Sequence, residues 1–174
     1  MKKKISSTVE KALKKMGIHY RKEDNSIFRF GFELEHANYD VGMVSVEDME
    51  MLMILVSCSI CVPKSKIEKM CRWIADKNYT LNLGEFKLDT SDGELTFRIS
   101  CPLDNGAVNE DIVNVIIANA LHTFEMSYED IMKELYADIG GQEEWSLSLA
   151  QETAKQIKDA QENQEETNTK RINS

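Results

Sequence analysis

The residues of this chain with the most chemical potential are four cysteines. Cys58 and Cys61 form a CxxC spacing, which is typical of zinc and redox sites, and Cys71 and Cys101 follow further along the chain. Cys58 and Cys61 lie in a predicted strand, where a spacing of three sends side chains to opposite faces. A second CxxC or a pair of histidines is missing. We therefore predict no metal site, and we expect Cys71 and Cys101 to act as small apolar side chains on buried faces.

Other groups that could support catalysis are scattered. His19, His36 and His122 are far apart in the sequence, without a nucleophile nearby. Glu33 and Glu35 share one face of a predicted strand, opposite its phenylalanines, so water should solvate both carboxylates and leave them poor general acids. No glycine loop that could cradle a phosphate is present. These residues predict a chain without enzymatic activity and without a cofactor.

Charge is unevenly distributed along the chain. Residues 1–22 carry a net charge of +7, residues 23–141 carry −13, and residues 142–174 carry −3. An acidic body repels phosphate backbones, so nucleic-acid binding is not the expected function. The alternative is an adaptor that binds nucleic acid or an anionic surface through a basic arm, whose lysines would be Lys2, Lys3, Lys4, Lys11, Lys14 and Lys15.

The hydrophobic segments do not resemble export or membrane signals. Thr8–Gly17 interleaves charged residues where a signal peptide requires an apolar region. The longest apolar run, Met51–Val62, is too short to span a membrane. We expect a soluble, cytoplasmic protein, and a reducing cytosol disfavours disulfides.

Period-two alternation predicts the strands. Ile27–Glu35 alternates aromatic and polar residues, Val41–Glu47 follows it, and Met49–Val62 has a continuous apolar face. Leu81–Pro102 predicts a hairpin with its turn at Asp92-Gly93. Its apolar phase changes across Gly84-Glu85, which predicts a β-bulge there.

Apolar spacing of three and four predicts three helices. The first begins at a possible capping box, Ser7 to Glu10, and ends at Gly17. The second begins near Ser65 and ends between Lys77 and Tyr79. Its predicted buried stripe leaves Trp73 outside and consists of Ile67, Met70, Cys71, Ile74 and Ala75. The third helix runs from Asn109 to about Asp138.

The order of these elements predicts an α+β domain, in which an antiparallel β-sheet packs against helices in the order α-βββ(β)-α-ββ-α. Residues 1–17 form a basic N-terminal helix that belongs to the domain, and residues 18–140 form its main part. Residues 141–174 form a polar C-terminal extension that we expect to be partly helical or disordered, with Trp145, Leu147 and Leu149 as possible anchors.

Several features between Val62 and Leu103 resemble the YbjN family, whose fold is similar to that of type III secretion chaperones. They are a helix that follows Pro63 and ends near Asn78, a Gly-x-Phe-x-Leu-Asp strand from Gly84, an Asp-Gly-Glu-Leu turn from Asp92, and Pro102 before the last helix. The resemblance covers most of Leu13–Ile139. It implies a non-enzymatic, chaperone-like or regulatory module that binds proteins, often as a homodimer.

Four apolar residues are candidates for a partner-binding surface because they lie off the faces predicted to meet the core. These are Met51, Met53, Leu55 and Trp73. Methionine and tryptophan are favoured at association sites for their adaptable packing and large contact area. The alternative is that the first helix, the long helix or the segment around Trp145 covers them.

Overall fold

The described part of the chain contains one antiparallel sheet of six strands. The structure, a computed structural model, describes residues 5–103 and 108–137. The strands follow the spatial order β1-β2-β3-β4-β6-β5. Their bounds are β1 Arg21–Lys22, β2 Ile27–Glu33, β3 Asn38–Val46, β4 Met51–Cys61, β5 Glu85–Leu88 and β6 Glu94–Pro102. The helices are α1 Ile5–Lys15, α2 Ile67–Thr80 and α3 Glu110–Tyr136, with short 3-10 turns at Glu47–Met49 and Lys64–Lys66.

One side of the sheet, here called the inner face, forms the core. The strand register aligns Phe28 with Met43, Met43 with Ile54, and Ile54 with Ile99, so their side chains lie on the same face. The residues of this face that are wholly buried include Phe28, Val41, Met43, Leu52, Ile54, Val56, Leu95 and Phe97. Burial of this continuous apolar surface is the main source of stability for the fold.

The helices pack on this inner face. Val9, Ala12 and Leu13 of α1 are buried, as the sequence predicts. The Phe124 ring of α3 lies 5.3 Å from Tyr39 and 5.4 Å from Phe86, both measured between ring centroids. The opposite side of the sheet, the outer face, therefore keeps partly exposed side chains in the described part of the chain.

Both ends of α1 show how local sequence sets a helix boundary. Gly17 has φ of 70°, and the Ile18 amide donates to the Leu13 carbonyl at 2.9 Å, which is the expected glycine-terminated helix end. The helix begins at Ile5, so Ser7 of the predicted capping box lies inside the helix and not at its start. Instead the Glu47 carboxylate accepts hydrogen bonds from the backbone amides of Ile5 and Ser6, at 3.1 and 3.0 Å. The prediction paired Ser7 with Glu10, whereas the amides at the observed start of the helix bond to a residue 42 and 41 positions away.

The β5–β6 hairpin is shorter than predicted. Leu81–Gly84 is not part of a strand, so the predicted bulge at Gly84-Glu85 is wrong. An irregular register occurs instead in β4, between Ser57 and Cys61. The turn spans Asp89 to Gly93 and is closed by the Gly93 amide, which donates to the Asp89 carbonyl at 2.8 Å.

Helix α2 is rotated relative to the prediction. Met70 is buried, but Cys71 and Ala75 are exposed, and the Trp73 ring packs on the buried Phe86. Because α2 lies beside the short edge strand β5, only a narrow stripe of the helix meets the sheet, and apolar spacing alone did not identify that stripe.

Helix α3 matches its prediction closely. The Asn109 side chain accepts a hydrogen bond from the Ile112 amide at 2.8 Å, which caps the first turn. The predicted apolar positions stay in phase, with Val113, Ile116, Ala120, Phe124 and Ile131 all buried. None of the helices in the described ranges has the length and apolarity needed to cross a membrane. The C-terminal extension, with Trp145, Leu147 and Leu149, lies outside the described residues.

Candidate functional site

The outer face carries a cluster of partly exposed apolar side chains. Met51, Met53 and Leu55 alternate along β4, and all three are half-buried. In β3, Val46 lies opposite Met51 and Val44 lies opposite Met53. Together with Ile27, which is aligned with Val44, these residues form what we call the outer patch: Ile27, Val44, Val46, Met51, Met53 and Leu55.

Charged side chains border the outer patch at one end. Arg29 extends over Gly42, where a Cβ would lie 3.2 Å from the guanidinium Nη1. Arg98 is aligned with Leu55 and donates to the Glu85 carboxylate at 2.6 Å. An apolar centre with a charged border is the usual composition of a protein-binding surface.

Trp73 does not belong to this surface. Its ring lies 5.2 Å from Phe86, a core residue of β5, and the Lys77 amino group lies 5.9 Å from the Trp73 ring centre. Apolar spacing places Trp73 outside the predicted stripe of α2 and therefore predicts it on the same surface as the β4 residues. The structure brings Met51, Met53 and Leu55 together and places Trp73 on the helical side, so a single surface made of all four residues is not formed.

Part of the basic arm is neutralised by carboxylates. Lys14 pairs with Glu10 at 2.8 Å, and Lys15 pairs with Glu110 of α3 at 2.7 Å. The hydrogen bond from Lys14, with others from Lys22 and Tyr20, lowers the pKa of Glu10 to about 2. Lys11 is exposed, and Lys2, Lys3 and Lys4 lie outside the described residues.

A polar cluster that the sequence does not predict joins the β2–β3 turn to α3. The Glu125 carboxylate accepts hydrogen bonds from the His36 amide at 3.0 Å and from the Tyr39 hydroxyl at 2.6 Å, and it lies 2.8 Å from Nδ1 of His36. The His36 ring also stacks on Tyr128. No local signal could reveal this cluster, because its members come together only when α3 packs on the sheet.

The electrostatics of this cluster favour a charged pair. The hydrogen bond to Glu125 raises the pKa of His36 above its usual 6.5. Burial would raise the pKa of Glu125, but the hydrogen bonds from Tyr39 and His36 outweigh this effect and lower that pKa. Burial and the bond to Glu125 raise the pKa of Tyr39. Because both carboxylate oxygens are occupied, the arrangement is suited to holding the turn on α3.

The cysteines occupy different environments. Cys58 is buried, and burial raises the pKa of its thiol. Cys61 and Cys71 are exposed and Cys101 is half-buried, so the predicted burial of Cys71 is wrong. Within residues 5–103 and 108–137, no group of three or more histidine, cysteine or carboxylate side chains is arranged to hold a metal ion.

The sequence of the chain matches a known family along most of its length. Residues 6–132 match the model of YbjN, described as "Putative bacterial sensory transduction regulator". The chain belongs to the YbjN family. The predicted membership is thus confirmed. A comparison with curated protein sequences gives no match.

Three solved structures have a fold similar to that of this chain. The crystal structure of YbjN from E. coli is 12% identical, with a TM-score of 0.55, and the match covers 69% of this chain and 85% of that one. The ExsC-ExsE complex is 14% identical, with a TM-score of 0.53 and coverage of 73% and 92%. An uncharacterized protein from Methanothermobacter thermautotrophicus is 13% identical, with a TM-score of 0.52 and coverage of 75% and 99%. The predicted α+β, type III secretion chaperone-like fold is confirmed.

Proposed function

We propose that this YbjN-family chain is a non-enzymatic protein-binding module, chaperone-like or regulatory, that acts as a homodimer in the cytoplasm. The observation that carries the proposal is the outer patch, a set of six half-exposed apolar side chains on the face of the sheet opposite the helices. Contiguous apolar surface of this kind marks association sites in soluble proteins.

The chemistry of the patch favours a polypeptide over a small ligand. Small-molecule sites are concave and enclosed, whereas the outer patch lies on the open face of a sheet. Met51 and Met53 have flexible thioether side chains that adapt to a partner's surface. The ion pair of Arg98 with Glu85 supplies charge of both signs at the border, which supports selection of a partner by charge.

The comparisons support the same class of function. The ExsC-ExsE structure is a complex of two proteins, so a fold similar to this one accommodates a protein partner there. We take the YbjN family description, which concerns regulation, as consistent with a role exerted through binding.

A second copy of the chain is the occupant that we propose for the outer patch. The patch combines apolar residues with positive and negative border charges, so one copy can complement another through a two-fold axis. Sheets that pack face to face through such surfaces bury both apolar layers at once.

The test is the solution mass of the full chain and two variants by light scattering. The wild type should approach twice the 19.9 kDa of one chain. Met53→Asp should be monomeric, because it would bury an unpaired carboxylate at the centre of the contact. Val115→Asp is the matched control, since Val115 is an exposed apolar residue on α3, 54% accessible, and its replacement should leave the dimer unchanged.

Two results would refute the proposed dimer. One is a wild-type chain that remains monomeric as its concentration rises. The other is Met53→Asp protein that unfolds at the wild-type temperature and still has the dimer mass. The basic-arm alternative is weakened by the pairing of Lys14 and Lys15 with carboxylates.

A further inference from the structure

The sheet has an open edge beyond the end of β5. Strand β5 pairs with β6 only from Leu95 to Arg98, whereas β6 continues to Pro102. The last four residues of β6, Ile99–Pro102, therefore have β4 on one side, and no strand in the described part of the chain lies on the other. An unpaired strand edge is a template for another extended chain.

The register shows which backbone groups point to this open side. The Leu103 amide donates to the Glu50 carbonyl at 2.8 Å, on the β4 side. Backbone groups alternate between the two neighbours of an antiparallel strand, so those of Cys101 and Ile99 also face β4. The amide and carbonyl of Ser100 and the carbonyl of Pro102 face the open side instead. Ser100 is exposed, and no strand in the described part of the chain covers its backbone groups on this side.

A single glycine explains why the chain's own β5 ends before this edge. Gly84 has φ of 81°, and a Cβ at this position would lie 2.5 Å from the Phe97 ring and 2.8 Å from Ile99. The left-handed backbone turns the preceding residue, Leu83, out of line with β5, so Leu83 does not continue the pairing to Ser100.

An apolar hollow lies beside the open edge. Its volume is about 410 Å³, and its apolar lining comes from β6, the segment before β5 and the first turns of α3. Leu83 and Val115 are among the most exposed large apolar residues of the described chain, at 45% and 54%. The apolar side chains around the hollow include Leu83, Ile99, Cys101, Ile112, Val115 and Ile116.

We propose that this edge and hollow bind an extended peptide segment of a partner protein by strand addition. The Ser100 amide and carbonyl and the Pro102 carbonyl pair with the peptide backbone, and an apolar side chain of the peptide enters the hollow. The exposed carboxylate of Asp111 lines the same hollow, within a body of net negative charge, so the peptide carries a basic residue beside its apolar one. This inference rests on the proposed protein-binding function but concerns a surface separate from the outer patch.

The experiment uses the full chain and a synthetic peptide of alternating character, Lys-Val-Thr-Val-Lys-Val, blocked at both ends. The control peptide replaces the central threonine with proline, which removes a backbone donor. We expect the first peptide to slow hydrogen exchange of the Ser100 amide and to shift the methyl resonances of Leu83 and Val115. The proline peptide should bind at least about tenfold more weakly.

Three variants separate this site from the outer patch. Val115→Asp should weaken binding of the peptide at least about tenfold, whereas Asn114→Asp, which adds the same charge at a neighbouring exposed position, should not. Met53→Asp should bind the peptide normally even when it no longer dimerises. Loss of dimerisation would thus leave this inference standing, and loss of peptide binding would leave the dimer standing.

Three outcomes would overturn the inference. The first is a Ser100 amide that already exchanges slowly in the free protein, because the edge would then be filled without a partner. The second is peptide-induced shifts confined to Ile27, Val44 and Met53. The third is an absence of binding by the alternating peptide at millimolar concentration.

Discussion

Glu125 is the residue that most clearly links distant parts of the chain. Its carboxylate holds the amide of His36, 89 residues away, and the hydroxyl of Tyr39, 86 residues away. Phe124, the residue before it, packs on Tyr39 and Phe86. Polar and apolar contacts thus fix the same turn of α3 on the sheet, which is the arrangement expected where a single orientation must be specified.

The pair of His36 and Glu125 should make stability depend on pH. A histidine whose pKa is raised by folding stabilises the fold at low pH, and this stabilisation is lost as pH rises through the raised pKa. A carboxyl group whose pKa is lowered by folding stabilises the fold at higher pH, and this stabilisation is lost as pH falls through the lowered pKa. The pair therefore contributes most to stability between pH 4.5 and pH 6.5, which are the ordinary pKa values of the glutamate and the histidine. We expect His36→Gln to lower the melting temperature more at pH 6 than at pH 8.

His122 provides the control for this prediction. It is exposed on α3, one turn before Glu125. His122→Gln changes an exposed side chain of the same helix, so its effect on the melting temperature should be small. The charges of Glu35 and Glu129 also raise the pKa of His36, and Tyr128 stacks on its ring. An equal loss of melting temperature for His36→Gln at pH 6 and pH 8 would show that the charge of His36 does not contribute to stability.

At the residue scale, the sequence predicted the direction of some side chains correctly and gave no information about others. The outward direction of Met51, Met53 and Leu55 followed from strand alternation, because a period of two determines the face once the inner residues are known. The direction of Trp73 did not, since the buried stripe of α2 depends on where the helix lies relative to β5. The His36 cluster depends on tertiary packing and had no local signature.

At the scale of elements, Gly84 sets where β5 begins. Gly84→Ala should lower the free energy of unfolding by roughly 2–4 kcal/mol, because it forces an alanine into the left-handed backbone region and its Cβ clashes with Phe97 and Ile99. Gly17→Ala is the matched control, with φ of 70° and open space around its Cβ, and should cost only about 1 kcal/mol. Chemical denaturation measures both, and equal losses would mean that the contact with Phe97 relaxes freely.

The order of the elements was predictable, but several of their boundaries were not. Strong periodicity over many residues located α3 and β2 correctly, since one misplaced residue cannot change a long pattern. The stretch from Leu81 to Gly84 alternates like a strand, but the left-handed backbone of Gly84 turns it away from the open edge of β6, so it does not form one. Similarly, α1 uses Glu47 for its first amides, a partner that sequence spacing cannot identify.

At the scale of the whole molecule, charge and apolar surface act in opposite directions on the proposed dimer. Residues 23–141 carry a net charge of −13, so two copies repel each other while their outer patches attract. Raising salt from about 0.01 M to about 0.1 M shortens the Debye length from roughly 30 Å to 10 Å. We expect sedimentation equilibrium to show tighter dimers at the higher salt. Weaker dimers would indicate that ion pairs such as Arg98–Glu85 are redirected across the interface.

The turn between β3 and β4 has a consequence for communication across the sheet. Val46 and Met51 of the outer patch flank this turn, and Glu47 within it holds the first amides of α1 on the other side. A partner on the outer patch that displaces this turn should therefore weaken the hydrogen bonds from Glu47 to the first turn of α1. By thermodynamic reciprocity, we expect a factor that unwinds or holds the N-terminal helix to change the affinity of the outer patch for its partner.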